Sequence, residues 1–363
     1  MTDLDKNSIE TLLKNVQDPH TGGDIVSAKV VKGINIEGNQ VSISITMNYP
    51  ADSWHDELRA EVIRVIGESA PDASVSVDIG TQVTAHSPQK GVQAIKGVKN
   101  IVAVASGKGG VGKSTVSVNL ALALAAEGAT VGVLDADIYG PSQPRMLGVN
   151  EQPESTDGKS LEPITNYGLQ AMSIGFLIEE ETPMIWRGPM VTQALEQLLK
   201  DTRWRDLDYL IIDLPPGTGD IQLTLAQKVP VSGAVVVTTP QDIALLDARK
   251  AYKMFEKVEI PVLGVIENMS THICSQCGHE EHIFGEGGGA RMAEEYGVDH
   301  LGDVPLDRQI REDADGGRPT VVADPDGRLA QNYRLIARNV AGHLSSRKRD
   351  FSDQFPSIVI QNN

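Results

Sequence analysis

The chain has 363 residues, more than one average domain, and carries 49 acidic against 32 basic side chains for a net charge of −17. That balance disfavours a nucleic-acid-binding surface, which needs a basic face for backbone phosphates, and no apolar run approaches the ~20 residues that cross a bilayer. Hydrophobic residues make up 40% but aromatic ones only 4%, so the core must be built from Val, Ile, Leu and Ala. The acidic surplus fits an ordinary acidic protein or a surface adapted to high salt. The first residues, "MTDLDKNSIETLL", lack the basic, apolar and small-residue sections of a signal peptide, and a cytoplasmic location with no membrane partner is expected.

Residues 1–85 read as a small α+β domain. "SIETLLKNV" predicts a short helix, and "IVSAKVVKGINIEGNQVSISITMNY" alternates apolar and polar residues on both sides of Gly38-Asn39, a hairpin signal. "SWHDELRAEVIRVIGES" places Leu58, Val62, Val65 and Ile66 on one helical face, and "ASVSVDIG" predicts another strand. Residues 86–97 are polar, contain Pro and Gly, and read as a linker.

From residue 98 the pattern changes. "NIVAVAS", "TVGVLDAD", "DYLIIDLP", "GAVVVTT" and "PVLGVIENM" are short apolar runs without alternation, as parallel strands buried on both faces require. Between and after them lie helical segments: "STVSVNLALALAAEG", "MVTQALEQLLKD", "DIALLDARKAYKMFEKV" and "RLAQNYRLIARNVAGHL". The last carries a core-facing stripe of Leu329, Tyr333, Ile336, Val340 and Leu344. This alternation predicts a doubly wound, mostly parallel sheet over residues 98–347, followed by a partly ordered tail at 348–363. Trp54, Trp186 and Trp204 are expected in core or interface packing.

"GKGGVGKST" satisfies G-x-x-x-x-G-K-S/T through Gly107, Gly112, Lys113 and Ser114, and it stands between a predicted strand and a predicted helix. Its glycines let successive N–H groups turn toward one anion, and the helix N-terminus adds positive potential. The loop from Gly107 through Lys108, Gly109, Gly110 and Val111 to Thr115 is therefore the candidate nucleotide cradle. Lys113 would neutralise the β- and γ-phosphates and Ser114 would offer its hydroxyl to Mg²⁺. Asp213, Asp135 and Asp137 fall at carboxyl ends of predicted strands, where open α/β sheets bind ligands. Asp135 and Asp213 join Ser114 as the candidate Mg²⁺ set. The "PPGTG" after Asp213 could move when a γ-phosphate leaves.

The form G-K-G-G-V-G-K-S-T resembles the deviant Walker loop of the MinD, ParA and nitrogenase-iron-protein group of ATPases. The resemblance implies that the early lysine, here Lys108, reaches across a homodimer interface to the partner's nucleotide. It further implies that Asp137 positions the attacking water and that Asn268 contacts the base. No N-K-x-D guanine signature appears, so ATP is expected as the nucleotide. Within that group, "DADIYGPSQPRMLG", "IWRGPM", "DLPPGTGD", "TTPQDIAL", "ENMS" and a later C-x-x-C resemble the Mrp/ApbC family of iron–sulfur cluster carriers over residues 98–345. Residues 1–85 resemble the small domain fused in front of such ATPases and found alone in cluster-assembly proteins. Stand-alone relatives often carry a cysteine near the second turn, where this chain has "NYPADS", so that domain supplies no thiol.

The only cysteines, Cys274 and Cys277, form one C-x-x-C, half of a four-thiolate site. Two loop thiols without function, or a zinc site completed by His272, His279 and His282, are the rival readings. A thioredoxin-type redox pair is disfavoured because no helix N-terminus follows to lower a thiol pKa. A two-fold homodimer would bring two C-x-x-C pairs together and complete one iron–sulfur cluster site, of the 4Fe–4S type. The resulting expectation is a switch-type ATP hydrolase that carries clusters to apo iron–sulfur proteins alongside cluster-assembly factors. A positioning ATPase and a zinc-stabilised scaffold are the alternatives.

Overall fold

The computed structural model describes residues 5–86, 92–178 and 188–347. The expected tail, Trp186 and much of the expected linker lie outside the described residues.

The N-terminal region opens with the helix Lys6–Leu13, capped by Asp5, whose carboxylate accepts the Ser8 N–H at 2.7 Å. Strands Val31–Glu37 and Gln40–Met47 pair antiparallel around the Gly38-Asn39 turn, as their alternation predicts. The helix His55–Ser69 buries Leu58, Val62, Val65 and Ile66 and crosses over to the strand Ser74–Thr81, which pairs parallel to Gln40–Met47. A βαβ crossover thus closes this three-stranded sheet.

The second region is an eight-stranded sheet. Its spatial order is Asp299–Val304, Val262–Asn268, Gly233–Thr238, Val98–Ala105, Leu207–Asp213, Val131–Asp135, Leu169–Ser173 and Ile164–Asn166. Every neighbouring pair is parallel except the last, an antiparallel hairpin. The five strands expected from sequence occupy its centre. The three unexpected ones lie toward its edges, where a shorter or more polar strand survives because one side needs no partner. The helix Lys113–Ala126 is apolar nearly all round and packs between the sheet and the late helix Arg328–Ser345. That late helix buries Tyr333, Ile336, Val340 and Leu344 as its stripe predicts, with Leu329 half-buried. Trp54 and Trp204 are both buried.

The two regions meet at a buried carboxylate. Glu127, fully buried at the C-terminal end of the Lys113–Ala126 helix, accepts bonds from Ser53 N at 3.0 Å and Ser53 Oγ at 2.6 Å. It also accepts from Arg334 Nε at 2.9 Å and Arg338 Nη1 at 3.1 Å. A buried charge with this many donors is compensated where an unpaired one would be costly. Beside it, His20 lies edge-on to Trp54 and donates from Nδ1 to Asn339 Oδ1 at 2.7 Å. The backbone of His20 approaches Gly342 so closely that a Cβ there would stand 2.4 Å from the His20 carbonyl oxygen.

Candidate nucleotide and thiol site

The central strand Val98–Ala105 delivers the chain to the carboxyl edge of the sheet, and the loop 107–112 turns it into the helix that begins at Lys113. Ser106 Oγ donates to the Lys108 carbonyl at 2.9 Å and steadies the first half of the loop. Gly112 caps the helix at φ 79°, in the left-handed region, and a Cβ there would lie 2.2 Å from Asn268 Nδ2. Both the dihedral and the neighbour require glycine. The Asn268 amide uses that space to donate to the Val111 carbonyl at 2.8 Å. On the other flank, the Gly217 N–H bonds the Ser106 carbonyl at 3.1 Å, so the "PPGTG" segment rests on the loop.

Below the loop the expected carboxylates come together. Asp213 and Asp135 are register partners on adjacent parallel strands, and both are fully buried. Lys113 Nζ reaches Asp213 Oδ1 at 2.5 Å and Ser114 Oγ at 3.2 Å. Two side chains that sequence reading passed over complete the cluster. Ser117 Oγ donates to Asp213 Oδ1 at 3.0 Å, and Gln143 Nε2 bridges Asp213 Oδ2 at 3.0 Å and the Ser114 carbonyl at 3.1 Å. The spacing of Ser117, one turn after Lys113, was an available signal; Gln143 offered none, because a four-residue helix places it.

Asp135 accepts N–H bonds from Asp137 at 3.1 Å, and from Ser142 and Gln143 at 3.0 Å each, with Ser173 Oγ at 3.2 Å. Burial, then the neighbouring Asp213 charge, push its carboxyl up to about 7 against those N–H groups. Asp137 is displaced upward too, chiefly by burial, with Lys113 opposing. Gln143 Oε1 and Ser142 Oγ are buried beside this cluster without a hydrogen-bond partner among the described residues. Two stacked carboxylates, a serine hydroxyl at a helix N-terminus and orphaned polar oxygens suit a hydrated divalent cation with a nucleotide phosphate. Lys108 stands apart: it is half-exposed, and among the described residues no carboxylate lies within ion-pair distance.

Beyond Asn268 the same strand runs into the cysteines. A short antiparallel hairpin pairs His272–Ile273 with Glu280–Glu281, and its turn carries Cys274, half-buried, and Cys277, exposed. Cys274 N donates to the His279 carbonyl, and Gly278 N to the Cys274 carbonyl, each at 2.9 Å. No helix follows the pair, yet the Cys274 thiol is still held below its ordinary range by the N–H groups of Gln276 and Cys277 and by the Cys277 thiol. Here the turn, rather than a helix N-terminus, aims N–H groups at the Cys274 sulfur. Among the described residues no three His, Cys, Asp or Glu side chains gather to hold a metal ion.

A family model described as NUBPL iron-transfer P-loop NTPase matches residues 97–341. The chain belongs to this family. A second model, described as iron-sulfur cluster assembly protein, matches residues 6–79 of this NUBPL-type NTPase. It is 52% identical over 337 residues to the iron-sulfur cluster carrier protein of Escherichia coli K12, covering 92% of this chain and 90% of that protein. It is also 52% identical over 254 residues to the mouse iron-sulfur cluster transfer protein NUBPL, covering 69% of this chain and 80% of that one. Among solved structures, it is similar to a nucleotide-binding protein of Archaeoglobus fulgidus in complex with ADP, at 38% identity and a TM-score of 0.54 over 61% of this chain and 88% of that one. The Pyrococcus furiosus cell division ATPase MinD, at 23% identity and a TM-score of 0.50, shares the fold over 66% of this chain and 98% of its own. In this NUBPL-type NTPase no described helix is long and apolar enough to cross a membrane.

Proposed function

We propose that this chain carries iron–sulfur clusters to apo iron–sulfur proteins, coupled to ATP binding and slow, switch-type hydrolysis, as a cytoplasmic homodimer. Residues 1–85 and 98–347 are its two functional units, joined by 86–97. One observation carries the reading: a single strand end bears Asn268 against the nucleotide loop and, six residues on, Cys274 of the thiol turn. A nucleotide-dependent change at the loop therefore has a short covalent route to the cargo site.

In this reading the loop N–H groups and Lys113 hold the phosphates, and Asn268 lies on the base side. Ser114, Asp135 and Asp213 would hold Mg²⁺, which supplies charge neutralisation at the phosphates. Asp137 orients the attacking water. Lys108, left without a carboxylate of its own among the described residues, serves the partner subunit's nucleotide, where a second cation stabilises the transferring phosphoryl group. Cys274 and Cys277 from two subunits supply four thiolates to one 4Fe–4S cargo cluster.

The test is a mixed dimer. In a homodimer, Cys274→Ser or Cys277→Ser removes two of four thiolates, so reconstituted protein should lose stable iron and its visible absorption while still binding ATP. A dimer of one wild-type and one Cys277→Ser subunit retains three thiolates and should hold iron weakly or not at all. Half-normal metal in that mixed dimer would show that each chain binds metal by itself.

A further inference from the structure

The two histidines that flank the thiol turn have a task that the cluster reading leaves unassigned. His272 Nδ1 lies 3.0 Å from the Leu306 carbonyl, and His282 Nδ1 lies 3.0 Å from the Ser270 carbonyl. A carbonyl only accepts, so each Nδ1 must carry the hydrogen and donate. The two acceptors sit on firm ground. Ser270 is buried, and both its N–H and its Oγ bond the Val304 carbonyl, at 3.1 and 3.2 Å. Leu306 N donates in turn to the Thr271 carbonyl at 2.7 Å. The entry arm of the hairpin is thus tied to the segment after the edge strand Asp299–Val304. Its exit arm is tied to the segment that leaves Asn268.

From this geometry we propose that His272 and His282 are positioning residues: they pin the thiol hairpin, through Nδ1, to the strand ends beside the nucleotide loop. The proposal rests on the reading of Cys274 and Cys277 as cluster ligands. The hairpin has only a two-residue ladder of its own, too short to hold a fixed geometry alone. Four thiolates on a two-fold axis need each turn held at a defined height and angle, and the two pins supply that hold. The same Nδ1 bond would suit a histidine that ligates metal through Nε2. Glu286 Oε1 lies 3.9 Å from His282 Nε2, and no third ligand stands with them among the described residues.

Asparagine and glutamine separate the two roles. An asparagine amide nitrogen falls close to the position of Nδ1, whereas a glutamine amide reaches the position of Nε2. The experiment uses the full chain, first free of metal. Amide hydrogen exchange is measured at Cys274 and Gly278 for wild type, for the His272→Ala/His282→Ala double variant, and for the corresponding Asn and Gln pairs. The Ala and Gln pairs should exchange about tenfold faster, because a hydrogen bond on each arm is lost, and the Asn pair should stay near wild type. Iron uptake after anaerobic reconstitution should follow the same order, with the Asn pair retaining iron. Unchanged exchange in the double alanine variant would overturn the proposal. So would an Asn pair that keeps hairpin protection but loses iron as fully as the Ala pair, the behaviour of metal ligands. Wild-type protein that takes up no iron would instead sink the cluster reading, and the exchange result would still decide the pinning.

Discussion

Lys113 and Asp213 face each other at 2.5 Å where the lysine is 6% exposed and the aspartate not at all. The ammonium proposed to meet the phosphates is also the counter-charge of a buried carboxylate. Lys113→Ala should therefore fail twice, losing nucleotide affinity and destabilising the fold by about 3–5 kcal/mol, the usual cost of stranding one partner of a buried pair. Adding Asp213→Asn should restore most of the stability and none of the binding. Denaturant unfolding and nucleotide titration on both variants check this.

Among the described residues Lys108 has no such carboxylate partner. Lys108→Ala should fold and bind ATP like the unaltered chain, while turnover falls by about 10³-fold, the scale of losing a cation that acts on the transferring phosphoryl group. Affinity and turnover are measured separately. A loss of affinity equal to that of Lys113→Ala would remove the case for a role in trans.

Asp135 makes stability depend on pH in a direction opposite to most carboxylates. Its folded-state pKa, about 7, lies above the ordinary value of an unfolded chain. Between the two the folded state holds the extra proton, so stability falls as pH rises toward 7 and levels off above it. Asp135→Asn removes this component. The difference in unfolding free energy, variant minus wild type without Mg²⁺, should rise from pH 5 to about 7 and then flatten. A difference that does not change with pH would show that Asp135 is ionised throughout.

Gly112→Ala combines a left-handed dihedral with a Cβ set against the Asn268 amide. Both stability and ATP affinity should drop, stability by more than about 1 kcal/mol. In the Asn268→Ala background part of the stability loss should return, since the steric conflict goes and the dihedral strain stays. Thermal melts of the four chains in this cycle measure the split.

The centre of the fold was legible because strands such as "DYLIIDLP" and "GAVVVTT" are buried on both faces and show it as unbroken apolar runs. Edges hide better. Asp299–Val304 buries only Leu301 and Val304 fully and reads as a polar loop. Ile164–Asn166 turns into its partner through Tyr167 at φ 48°, a residue that rarely signals a hairpin. The gathering of the loop, Lys113, Ser114, Asp135 and Asp213 could be read because the strand–loop–helix turn and the strand ends place them locally. Gln143 could not, since its reach is to a residue 70 positions further along the chain. The partners of Glu127 come from two distant stretches of chain, and nothing in "AAEGAT" announces them.

Glu127 closes the far end of the helix whose first residue is Lys113, and fourteen residues of α-helix span about 21 Å. That helix is a strut, with phosphate chemistry at one tip and Ser53, Arg334 and Arg338 clamped on the other. Sliding it along its axis by even an ångström must stretch four hydrogen bonds to a buried carboxylate. A protein that grips residues 5–81 therefore holds a handle rigidly connected to the nucleotide loop, and whatever moves the loop tugs on that handle in return.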